Sequence, residues 1–137
     1  MKLSEIQQQF ASRLPYLTAE IARQGYDWTT GHALRCEDCP VGSASSKHKR
    51  KLAIDINLFK DGVYLTSTED HRPIGEYWQS LGGIWGGDFN DGNHYEWHES
   101  GVENLNPLPS PPKTFEAEVL SALLSIEELL WQIEAKL

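Results

Sequence analysis

The chain has 137 residues, 12 of them basic and 20 acidic, for a formal net charge of -8. That length suits one domain with a hydrophobic core of its own and no dependence on disulfides. The acidic balance argues against a general nucleic-acid binder, which carries a basic face to displace counterions from phosphate, and the run from Lys47 to Lys51, broken by His48, is too short to reverse it.

The first residues, Met1-Lys2-Leu3-Ser4-Glu5, form no apolar signal region, and no window approaches the roughly 20 apolar residues of a membrane span. The expectation is synthesis in the cytoplasm without a signal peptide and no membrane partner. Cys36 and Cys39 are too few for a disulfide framework, which again suits a reducing cytoplasm and two free or weakly reactive thiols. The lesser alternative is a structural zinc site completed by His32 or His48.

Leu3, Ile6, Phe10, Leu14, Leu17 and Ile21 recur in steps of three and four, one face of a helix. Pro15 interrupts it, so the spacing predicts two short helices or one broken near Arg13. Gly25 stops the helix, and Tyr26 to Thr30 suits a strand. Gly31 to Lys47 is loop-like. Leu52, Ile54, Ile56 and Leu58 then alternate with Ala53, Asp55 and Asn57, a strand with one apolar face and Asp55 pointing away from it. Asp61-Gly62 marks a turn into a return strand, Val63 to Thr66. A helix is expected from about Pro73 to Leu81, ended by Gly82-Gly83. Asn93 to Glu99 reads as a strand with His94, Glu96 and His98 on one face and Tyr95 and Trp97 on the other. Asn106 to Lys113, with four of the seven prolines, is an extended crossing. Thr114 is a fair N-cap, with Glu116 and Glu118 at the positive end of a long amphipathic helix running to the C-terminus.

Within this frame His48, Asp55 and His94 supply two imidazoles and a carboxylate, a set that holds a catalytic zinc through three protein ligands and leaves a fourth position for water. Asp91, three residues before His94, is placed to take a proton from such a water. Arg35, on the loop after the first strand, could neutralise charge on a substrate carbonyl oxygen.

These residues fall in motifs. Ser46-Lys47-His48 is followed by Leu52-Ala53-Ile54-Asp55, and Asp91-Gly92-Asn93-His94-Tyr95-Glu96 closes the stretch. The chain resembles the M15 family of zinc peptidases, the group of D-alanyl-D-alanine carboxypeptidases, dipeptidases and phage L-alanyl-D-glutamate endopeptidases. That family carries Ser-x-His, then x-Ala-x-Asp, then an acidic residue three positions before a second zinc histidine. The resemblance implies that His48, Asp55 and His94 bind Zn2+, that Asp91 is the general base and acid, and that Arg35 stabilises the substrate carbonyl. It spans roughly Leu3 to Trp97. One departure is Lys51, near where the family often has glycine.

Ser46, Asp88 and Glu96 are expected behind the ligands, orienting their neighbours. His32 and His71 read as surface residues. The five tryptophans read as core and rim, with Trp85 a candidate to line a substrate cleft. The chain is therefore expected to be α+β: a small antiparallel sheet carrying the zinc site, packed by helices, with an extra C-terminal amphipathic helix. Residues 1–105 form the peptidase domain, 106–113 a Pro-rich linker, and 114–137 a helix packed on the same domain, its near-heptad spacing leaving room for self-association.

The resemblance implies that the substrate is the stem peptide of bacterial peptidoglycan. The expected enzyme is a phage endolysin-like L-alanyl-D-glutamate endopeptidase acting on the wall of an infected host. The alternatives are a D-alanyl-D-alanine carboxypeptidase or dipeptidase, and a non-catalytic phage structural module that retains the fold.

Overall fold

A computed structural model describes residues 1–36, 38, 40, 42–110 and 115–136, apart from the side chains of 115–118, 120, 121 and 129. The N-terminal apolar stripe forms two helices, α1 (Leu3–Ala11) and α2 (Leu14–Arg23), which bury Ile6, Phe10, Leu17 and Ile21. Pro15 lies in the first turn of α2, where its missing N–H leaves no helical bond unmade. The break falls at Arg13, itself 5 % exposed, whose Nε donates to the Leu81 carbonyl at 3.0 Å.

β1 (Asp27–Thr30) leads into the loop and then a short 3-10 turn, Lys47–Arg50, that the spacing does not indicate. The central strand is β2 (Ala53–Lys60), which pairs antiparallel with β1 along Ile56 to Phe59 and with β3 (Val63–Leu65) across the Asp61-Gly62 turn. Both turn residues have positive φ, 50° and 77°, the geometry that matches strand twist in a two-residue hairpin. Two short strands complete the sheet, β4 (Ile84–Trp85) and β5 (His94–Glu96), in the order β1-β2-β5-β4.

α3 runs from Thr68 to Ser80, five residues earlier than the expected start at Pro73, which instead sits inside the helix. Ser67 caps it: its hydroxyl accepts from the Asp70 amide while the Asp70 carboxylate accepts from the Ser67 amide. The earlier start also overturns the reading of His71, which is 3 % exposed rather than at the surface.

All of this packs on the sheet face bearing Leu52, Ile56, Leu58, Tyr95 and Trp97, with Trp78 of α3 at the centre. The Trp78 ring stands edge-on to Phe10, Trp97 and Tyr95, and its Nε1 donates to the carbonyls of Ile84 and Glu96, both at 3.1 Å. Trp85 is 1 % exposed, so it belongs to the core and not to a cleft wall. The fold is thus α+β, with helices on one face of a small antiparallel sheet and the opposite face left for Asp55.

Residues 106–110 carry no helix or strand, whereas 111–113 and the expected cap Thr114 lie outside the described residues. α4 spans Phe115–Glu134, and Val119, Leu123, Leu124, Ile126, Leu130, Trp131 and Ile133 on it are all between 40 and 70 % exposed. Among the described residues no helix is long and apolar enough to cross a membrane.

Candidate metal centre

Asp55 and His94 are direct cross-strand partners in the β2–β5 pairing. Opposed residues on one sheet face hold their Cβ atoms about 4.5–5.5 Å apart, so the side chains converge by register alone. Asp55 is further fixed through its backbone, its amide donating to the His32 carbonyl and its carbonyl accepting from the Gly31 amide, both at 2.7 Å. His48 arrives from the 3-10 turn, whose exit at Lys51 adopts φ 58° and ψ 38°. That left-handed conformation is the physical reason a glycine suits this neighbourhood, and here a lysine tolerates it.

The three side chains meet. His48 Nε2 lies 3.1 Å from Asp55 Oδ1 and 3.2 Å from His94 Nδ1, and His94 Nδ1 lies 3.0 Å from the same Asp55 oxygen. A tetrahedral zinc bound at about 2.0–2.1 Å sets its ligand atoms about 3.3–3.4 Å apart, so this triangle is close to the size the ion needs. The donor set, two imidazole nitrogens and one carboxylate oxygen, also suits zinc. Among the described residues this is the group of histidine, cysteine, aspartate and glutamate side chains that could hold a metal ion.

The electrostatics favour positive charge. Burial opposes the cationic form of His94, yet its hydrogen bonds with Asp55 and Glu96 outweigh that and raise it to about 9. Burial also pushes Asp55 up, but His94, His48 and Arg35 together bring it below the ordinary carboxylate range. His48 is lowered, first by burial, with Asp55 working the other way. A proton on His94 therefore balances the Asp55 and Glu96 carboxylates on either side of it.

Behind His94 stands Glu96, whose Oε2 lies 2.9 Å from His94 Nε2 and whose Oε1 meets Lys47 Nζ at 2.5 Å. Glu96 is thus brought into contact with His94 on one side and Lys47 on the other. Ser46 lines the cavity but makes no side-chain hydrogen bond to the three clustered residues among the described residues. Asp88 is not brought to them: its nearest partner is the Gln79 amide at 3.5 Å, and its carboxylate faces solvent.

The cluster opens into a cavity of about 270 Å³ whose wall includes Arg35, His48, Asp55, Phe89, Asp91 and His94. Asp91 is exposed at its edge, held by a tight turn in which its amide donates to Gly86 and its carbonyl accepts from His94. Gly86 is required there, because a Cβ would stand 2.1 Å from the Asp91 carbonyl oxygen. Arg35 is 19 % exposed, and its guanidinium reaches toward Asp55 Oδ2 at 3.9 Å and His32 Nδ1 at 3.4 Å.

Three neighbours of the cluster escape a reading of the sequence. Lys47 reads there as part of a charge run. His32 is exposed as expected, yet its Nδ1 is 3.6 Å from Asp55 Oδ2. Phe89 places an exposed ring 5.9 Å from the His94 ring, and only its position in the glycine-rich stretch before Asp91 hints at this. The expected free thiols fail at Cys36, which is disulfide-bonded. Cys39 lies outside the described residues.

The fold and this cluster define a class: a small α+β domain with a buried His-Asp-His group that could hold a metal ion, on an antiparallel sheet and open on one side. Residues 41–97, under half of the chain, match the family model described as D-alanyl-D-alanine carboxypeptidase, so the resemblance to M15 metallopeptidases is shown over that segment. None of the curated proteins matches the chain.

Proposed function

We propose that this protein is a zinc-dependent peptidase that cleaves peptide bonds in the stem peptides of bacterial peptidoglycan. The observation that carries the reading is the triangle of His48, Asp55 and His94, with sides of 3.0 to 3.2 Å, inside the segment that matches a peptidase family. Bound to these three, zinc would supply Lewis acidity toward a scissile carbonyl and a water molecule. Asp91, at the cavity edge, takes the proton of that water and later gives it to the departing amine. Arg35 donates to the substrate carbonyl oxygen as negative charge develops on it. Phe89 offers an apolar surface beside the same opening.

Within this class the favoured activity is that of an endolysin-like L-alanyl-D-glutamate endopeptidase acting on the wall of a phage-infected host. A second reading, D-alanyl-D-alanine carboxypeptidase or dipeptidase, is favoured by the description of the matching family model. The apolar residues exposed on α4 are the surface from which self-association would draw.

Mass spectrometry of purified peptidoglycan digested with and without a chelator tests the proposal. Cleavage that opens an alanyl-glutamate bond and stops on chelation supports the endopeptidase, whereas release of terminal alanine supports the second reading. Asp91→Asn is expected to retain zinc and lose at least about a hundredfold in rate, the scale of a positioned acid–base group. A native protein that binds zinc but cleaves no wall peptide would instead be a structural module in which metal serves stability.

A further inference from the structure

Lys47 and His48 are adjacent on the 3-10 turn, yet their side chains reach different carboxylates. His48 turns to Asp55 on β2, while the Lys47 ammonium crosses to Glu96 on β5. Glu96 is bridged: one oxygen meets Lys47 at 2.5 Å and the other meets His94 Nε2 at 2.9 Å. Both side chains of the pair are largely buried, 19 % exposed for Lys47 and 14 % for Glu96, so the contact is not an ordinary surface ion pair.

We propose that Lys47 is a positioning residue for the metal centre, acting through Glu96 on His94. The proposal rests on the metal-site reading above. A histidine ligand needs its coordinating nitrogen unprotonated and its ring held in one orientation, and a carboxylate on the other nitrogen does both. With the ion bound, Glu96 at 2.9 Å from Nε2 would accept from His94 Nε2–H and leave Nδ1, which lies on the Asp55 and His48 side, free to ligate. Glu96 by itself could rotate or attract a second cation. The Lys47 ammonium pins one oxygen, so the other has a single direction left, along the bond to His94. It also supplies a counter-charge that persists when His94 is neutral and ligating, the state in which a buried, unpaired carboxylate is costly. The backbone supports the arrangement: the Lys47 carbonyl accepts from the Leu52 amide at 3.0 Å, just before β2 begins, so the turn carrying both residues is tied to the strand carrying Asp55.

The test is a double-mutant cycle on zinc affinity, measured by chelator competition on the full chain with Zn2+ as the probe, using Lys47→Met, Glu96→Ala and the pair. Outer partners of metal-bound histidines are worth about tenfold to a hundredfold in affinity, and each single variant is expected to lose that much. In the Glu96→Ala background Lys47→Met should add almost nothing, because its route to His94 is already gone. Lys47→Arg should recover most of the loss. Nitrogen NMR of the zinc-loaded imidazoles should show one His94 tautomer in the wild type and a mixture in Lys47→Met.

Undiminished zinc binding in Lys47→Met overturns the proposal, and so does a Lys47 effect that survives intact without Glu96. If Lys47→Met does not fold, Lys47→Gln takes its place in the same cycle. A wild-type chain that binds no zinc would bring down the metal-site reading itself, a result distinct from either outcome above.

Discussion

At the scale of single residues, His71 shows how burial alone sets a pH response. It is 3 % exposed, its Nδ1 stands 3.4 Å from the Tyr95 hydroxyl, and burial lowers it from the ordinary 6.5. The unfolded chain therefore takes up a proton near pH 6.5 that the folded chain refuses. Its contribution to stability is whole above that pH and falls as pH drops toward the folded value, by up to about 1.4 kcal/mol per pH unit. His71→Gln is expected to flatten this part of the profile, read as the difference in urea midpoints between the two proteins from about pH 7.5 to 5, the range that brackets an ordinary histidine. Parallel profiles would refute it. The contrast with His48 and His94 explains what was legible. Those two stand in motifs whose flanking residues announce a shared site, whereas nothing around His71 in the sequence distinguishes a core histidine from a solvated one.

The difficulty with His71 is at root a difficulty with its element. Pro73 reads as a helix start because proline favours the first turn. The start lies at Ser67, where a serine followed three residues later by an aspartate forms a reciprocal cap. A cap with aspartate in the third position is a weaker sequence signal than glutamate or glutamine, and a proline inside a helix runs against expectation. The strands were more legible. Alternation from Leu52 to Leu58 and the Asp61-Gly62 turn both report local geometry, while β4, only two residues long, exists because β5 pairs with it and has no pattern of its own.

α3 also carries a contact that its helix propensity would hide. A Cβ on Gly75 would stand 2.1 to 2.6 Å from ring atoms of Trp85, and that ring is anchored by Nε1 donating to Gly92 at 2.7 Å. In an open helix, alanine for glycine gains about 1 kcal/mol. Here overpacking of the core costs about 1 to 3 kcal/mol and outweighs that gain. Gly75→Ala is therefore expected to lower the urea midpoint, and a rise would show that Trp85 can move aside.

For the whole molecule the question is how metal and fold depend on each other. The core lies on one face of the sheet, built from α1, α2, α3 and the apolar sides of β2 and β5, and none of its residues is a candidate ligand. The domain should consequently fold without metal, unlike small zinc modules whose folding energy is the binding energy. The ligands come together only in the native chain, since His48 and His94 are 46 residues apart in sequence. On the proposed reading zinc would bind the folded state and not the unfolded one, and would add stability by mass action: about 2.7 kcal/mol when free zinc is about a hundred times the dissociation constant. For a domain of this size that is a rise in Tm of roughly 5 to 15 °C. Asp55→Ala should abolish the rise while remaining folded, because it removes a ligand from the face opposite the core. Differential scanning calorimetry with zinc and with chelator decides it. Unfolding of the chelated wild type at room temperature would mean that the apolar face does not suffice, and an unmoved Tm in the wild type would mean that the three side chains do not act as a metal site.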